Sequence, residues 1–127
     1  MDLAVFLARL NTQPLLNGKV GLGIPGALES LDAAPYAWIT GAMESGSLSP
    51  VTGPVRQRIE VRLEVAVGGR ELAEVQAARD AVRSALVNYA PTTDYAPMVL
   101  VKGVLDAAEP GWLQWRDEFN TDYYLTG

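Results

Sequence analysis

Residues Val55 to Gly69 read "VRQRIEVRLEVAVGG". Val55, Ile59, Val61, Leu63, Val65 and Val67 take odd positions, and Arg56, Arg58, Glu60, Arg62 and Glu64 take even ones. Successive side chains on a strand point to opposite faces, so this period of two predicts a long strand with one apolar and one charged face. The pair Gly68-Gly69 ends the pattern. From about Arg70 the period becomes helical, with Leu72, Val75, Ala78, Val82, Leu86 and Tyr89 as an apolar stripe and Pro91 as its stop. Glu71 and Glu74 near the start, with Arg79 and Arg83 later, suit the helix dipole. The stripe and the odd strand face have the chemistry to bury one another, so this strand–helix unit is the expected centre of the core.

Working outward, Leu3, Phe6, Leu7 and Leu10 predict an amphipathic helix from about Asp2 to Thr12, with Asp2 as its cap and Pro14 beyond its end. Val20, Leu22 and Ile24 alternate with glycines, as in a short strand or an irregular lead into a turn at Pro25-Gly26. "YAWITGAM" has strand-favouring composition. The segment "ESGSLSPVTGP", residues 44–54, then carries three serines, two glycines and two prolines, which predicts a loop. It is longer than an ordinary hairpin connection, and loops of that length in a compact domain are functional or mobile. On the far side, Met98 to Leu105 is aliphatic, Glu109-Pro110-Gly111 reads as a turn, and Trp112 to Leu125 reads as a last strand with a bulge or bend near Asp117-Glu118. The whole predicts one α+β domain over residues 1–127: a mainly antiparallel β-sheet with two principal helices packed on one face.

Composition narrows the chemistry. At 127 residues, 49% hydrophobic and 20% charged, the chain is long enough and apolar enough to bury a core. No apolar run reaches the length of a membrane span, so no membrane partner is expected. The start "MDLAVFLARLNTQ" lacks the features of a secretory signal, which points to synthesis in a cytoplasm. Histidine and cysteine are both absent. That removes disulfides, thiolate nucleophiles, the usual zinc ligands and any triad built on histidine. An enzyme would have to work with carboxylates, Lys19, Lys102, tyrosines or a borrowed cofactor, so catalysis is not expected.

Net charge is −5, from ten Lys and Arg against fifteen Asp and Glu. Six of the eight arginines lie between Val55 and Arg83, while six acids follow from Asp94 onward. An acidic chain is a poor binder of nucleic acid at large, but segregated charge suits contact with a complementary surface such as a second copy.

Three further motifs have bland explanations. "GLGIPG" matches the glycine spacing of a dinucleotide loop, but Pro25 interrupts it and neither a buried strand nor a long helix flanks it, so it reads as a turn. Glu60 and Glu64 stand about 13 Å apart on one strand face with arginines beside them, which favours ion pairing over acid–base work. Asp117, Glu118 and Asp122 resemble no calcium loop and read as a solvated face. The aromatic ending Trp112, Trp115, Phe119, Tyr123 and Tyr124 suits core packing on one face and an interface on the other, with Trp115 and Tyr123 as the candidate interface aromatics.

The back half carries a family likeness. An R-x-R-x-E-V-x-L-x-V strand precedes "AARDAVRSAL" and "NYAP", a hydrophobic hairpin follows, and the chain closes on "WLQWRDEFNTDYYL". From about Arg56 to Leu125 this resembles the tail terminator (tail completion) proteins of long-tailed bacteriophages. The resemblance implies a structural virion protein without cofactor or metal, assembled in the host cytoplasm. It implies a homo-oligomeric ring, commonly a hexamer, that caps the head-proximal end of the tail tube and halts its polymerisation. Partners would be the tail tube protein and the head–tail connector protein, with genomic DNA passing through the ring without sequence-specific binding. On that reading Arg56, Arg58, Glu60, Arg62 and Glu64 form a subunit contact or a lumen wall. Glu44, Ser45, Ser47, Leu48, Ser49, Val51 and Thr52 form a loop that touches the tube or a neighbouring ring. Another head–tail joining component, or a small α+β ligand-binding or enzymatic domain, is the alternative.

Overall fold

The computed structural model describes residues 1–23, 34–46 and 56–126. Helix α1 (Leu3–Asn11) is followed by a 3-10 turn (Pro14–Leu16), β1 (Val20–Leu22), β2 (Tyr36–Gly46), β3 (Arg56–Gly69), α2 (Leu72–Leu86), β4 (Val99–Glu109) and β5 (Trp112–Thr126). The five strands form one sheet in the order β1-β2-β3-β5-β4. All neighbours are antiparallel except β1, which runs parallel to β2. The α+β class and the mainly antiparallel sheet are as the periodicities predict, with both helices on one face.

Local chemistry places each helix. Asp2 caps α1 by accepting the amide of Ala4 at 3.0 Å. Phe6 and Leu10, one turn apart, are fully buried. Arg9 ties α1 to α2 by donating to the Ala85 carbonyl at 2.9 Å while its guanidinium lies over the Tyr89 ring. In α2 the buried residues are Val75, Ala78, Val82, Ala85 and Leu86. Leu72, expected within the stripe, is 54% exposed. At 3.6 residues per turn it stands roughly 90° from the centre of that stripe, so the sheet does not reach it.

Central strand β3 obeys its alternation. Ile59, Val61, Leu63, Val65 and Val67 are all buried on the helix side. Leu63, Val65 and Val67 pack with Phe6, Leu10, Ala37, Ile39, Phe119 and the α2 stripe into one main core, while Ile59, Val61 and Tyr123 form a smaller cluster at one end. Opposite them, β5 pairs with β3 over the full run from Arg56–Thr126 to Gly69–Leu113 without a slip. The bulge expected near Asp117-Glu118 is therefore absent from β5. Register shifts occur instead on β4, between Leu100 and Lys102 and between Leu105 and Ala107. β2 also shifts register against β3 between Ile39 and Gly41, just past the end of its pairing with β1, so each shift falls where one side of the strand has no described partner.

Glycines permit two close approaches. The Tyr36 ring crosses β3 where a Cβ on Gly68 would lie 2.1 Å from it, and its hydroxyl donates to Gln114 at 2.9 Å. A Cβ on Gly103 would lie 2.5 Å from the Asp117 carboxylate.

Candidate functional site

Strand β3 directs Arg58, Glu60, Arg62 and Glu64 to the side of the sheet away from the helices. They face Tyr124, Asp122, Asn120 and Glu118 of β5 in register. Acids and bases interlock across the two strands. Arg58 donates to Asp122 through Nε at 2.8 Å and lies 3.5 Å from Glu60. The hydrogen bond to Asp122 pushes the Arg58 pKa up. Arg62 lies 3.5 Å from Glu118, and Arg116 bridges Glu64 at 3.7 Å and Asp106 at 3.4 Å. The backbone of Arg56 pairs with that of Thr126.

These pairings revise how the charge is used. Arginines of the chain's middle and acids of its last third are far apart in sequence, which suggests two complementary patches on separate surfaces. Folding places β3 beside β5 and matches the two sets within one subunit. Pairs whose arginine is half-exposed contribute little stability, but they leave a face with little net charge.

Asp117 departs from the expected solvated cluster. Alternation along β5 puts Glu118 and Asp122 on the open face and Asp117 on the helix face; Asp117 is fully buried, and Glu118, at 7% exposure, is buried as well. Arg79 Nη2 lies 3.2 Å from its Oδ1 and Arg83 Nε lies 3.2 Å from its Oδ2, and Trp115 covers the Arg79 guanidinium at 4.2 Å. A buried carboxylate requires such partners. The sequence held a usable signal: Asp117 shares odd parity with Trp115 and Phe119, and Arg79 and Arg83 are one helical turn apart.

The two candidate interface aromatics are otherwise engaged. Tyr123 lies on the helix face, 7% exposed, and stacks on Tyr95 with ring centroids 4.8 Å apart. Its hydroxyl donates to Glu44 at 2.9 Å and accepts from the amino terminus at 3.3 Å. Burial pushes the Tyr123 pKa up to about 12. The amino terminus, 2.9 Å from Glu44, holds that carboxyl below its ordinary range. Trp115 is half-buried over Arg79. On the open face the exposed aromatic of β5 is Tyr124.

Of the expected contact loop, Glu44 and Ser45 extend β2 opposite Val61 and Glu60, so the connection starts later than its composition suggests. Ser47, Leu48, Ser49, Val51 and Thr52 lie outside the described residues.

A cleft of about 390 Å³ opens on the charged face between Met43, Ser45, Arg62, Val99, Asn120 and Asp122. Its arginines are already paired to its carboxylates, as above. Among the described residues no group of three or more His, Cys, Asp or Glu side chains is placed to hold a metal ion. No described helix is long and apolar enough to cross a membrane.

Apolar surface gathers at the sheet's two ends. On edge strand β4, Val99, Val101, Val104 and Leu105 are 37–52% exposed. At the other end β1 pairs only with Ala37 to Ile39 of β2, so residues 41–46 of β2 have no described strand on that side. Leu22 and Met43 there are each 50% exposed.

A face of paired charges and, among the described residues, two sheet ends without a further strand outline this α+β module. A family model described as phage tail terminator protein matches residues 26–127, and the chain belongs to that family, whose members are structural proteins of the phage tail. The match starts well before Arg56, where the recognisable motifs begin. Among solved structures the chain is similar to one in the virion of a native gene transfer agent (GTA) particle, with a TM-score of 0.65 and 15% identity over 98% of this chain and 93% of that one. At that identity the likeness is one of fold. Comparison with curated proteins gives no match.

Proposed function

We propose that this protein caps the head-proximal end of a phage tail tube as an oligomeric ring, stops tube polymerisation and offers the surface that joins the head. The observation that carries this is the family match across residues 26–127. The subunit's own surface supports it. A conduit for DNA must neither bind nor strongly repel the phosphate backbone, and the open face of Arg58, Glu60, Arg62 and Glu64 presents arginines already neutralised by carboxylates. We assign that face to the lumen, with the tail tube protein and the head–tail connector protein as partners above and below. The protein acts without catalysis, as a virion component assembled in the host cytoplasm.

Tail length tests the proposal directly. Particles assembled without the protein should carry overlong tails lacking heads, and adding the purified protein should restore length and joining in negative-stain images. Tails of normal length, joined to heads in its absence, would overturn it.

A further inference from the structure

We infer that copies of this chain join head to tail through the two ends of the sheet, the β4 edge of one copy lying against the β1–β2 edge of the next. The inference rests on the proposed ring and names the contact that would build it.

Strand direction comes first. β4 runs with β3 and against β2, so two copies side by side with their open faces turned the same way bring β4 and the neighbouring β2 together antiparallel. An edge strand presents unpaired amides and carbonyls, a template for one more strand. Both ends also carry apolar side chains in water: Val99, Val101, Val104 and Leu105 on β4, and Leu22 and Met43 on the other. A two-fold pairing of β4 with β4 would cover the first group and leave the second exposed. Contact between the unlike edges covers both.

Charge gives a third reason. Lys102 is exposed on the open face opposite Glu118, and among the described residues it has no carboxylate within ion-pair distance. On the facing edge, Glu60 stands one strand in and its side chain is 64% exposed. A strand added beside β2 lies about 10 Å from β3, within the combined reach of a lysine and a glutamate. A two-fold β4 pairing would instead leave Glu60 out of reach of this lysine. The two bulges keep the uninterrupted main-chain ladder short, so side chains carry much of the contact. They also protect β4 from indiscriminate pairing. Heterologous contacts of this type close into rings when the rotation permits. Apart from Glu60, the charged row of the sheet face then lies away from the joint, which agrees with its assignment to the channel.

The chain has no cysteine, which makes cross-linking clean. Met43→Cys and Val104→Cys proteins are to be mixed at high concentration and treated with a short bis-maleimide. The expected product is a dimer joining one variant to the other, with each variant alone giving little. Lys102→Glu introduced into the Val104→Cys protein should lower the mixed yield about two- to fivefold, the scale of an exposed ion pair, and Glu60→Lys in the partner should restore it. Abundant cross-linking of Val104→Cys with itself would establish a two-fold joint and overturn the inference. So would the absence of any mixed product. The tail-length assay with unmodified protein reads the proposed function separately, so a ring built through other surfaces would defeat this inference and leave that function standing.

Discussion

Asp117 is held by two arginines from one helix and lies beneath the only residue type that leaves room for them, Gly103. Asp117→Asn should therefore lower stability by about 3 kcal/mol, the lower end of what removing one partner of a buried pair costs, since Arg83 can turn to water. Gly103→Ala should cost about 1–3 kcal/mol by overpacking the same spot, and combining the two should be clearly less than additive in denaturant melts. Tyr123 gives a pH signature instead. Its raised pKa means that the folded state holds the phenol proton more tightly than the unfolded chain. That stability is fully present below the ordinary tyrosine value near 10 and is lost as pH rises through about 12. Tyr123→Phe should flatten the fall in melting temperature over that alkaline window. Glu44 behaves oppositely: its lowered pKa contributes stability above its ordinary value that disappears as acid titrates it.

At the level of elements, the strands of the centre were legible in the sequence and the edge was not. β3 announces itself because one face meets helices and the other meets water, which imposes strict alternation. β5 inherits its frame from β3, so its length could be read, yet "WLQWRDEFNTDYYL" mixes aromatic and acidic residues on both faces and hides the phase. Counting parity from Phe119 separates Asp117 from Glu118 and Asp122. Grouping the three by proximity in sequence merges opposite faces. β4 is apolar for another reason: its exposed valines read as a buried strand, and nothing local says that no strand covers its far side. Its bulges are equally silent, because the extra residues Val101 and Asp106 break no pattern on a strand exposed on both faces. The candidate contact face could be read from alternation, whereas the buried ion triad required two distant segments to be placed together.

For the molecule as a whole, the instructive result is that arginine-rich and acid-rich halves of the sequence cancel within one subunit. Reversing Arg58 and Arg62 to glutamate thus acts inside the chain before it acts between chains. Each new glutamate would lie beside the carboxylate its arginine now pairs with, Asp122 or Glu118, and the double variant should melt at a lower temperature in low salt, with the loss shrinking as salt rises. A melting temperature unaffected by the double reversal would contradict the pairings. The long β3–β5 ladder has a mechanical consequence. Its hydrogen bonds lie perpendicular to the strands, across a run of 14 residues with no slip. Force applied along the strands loads all of those bonds together, whereas force across them peels bonds one at a time. If the strands of the proposed ring run along the tail, its wall would be stiffest in the direction in which packaged DNA leaves under pressure.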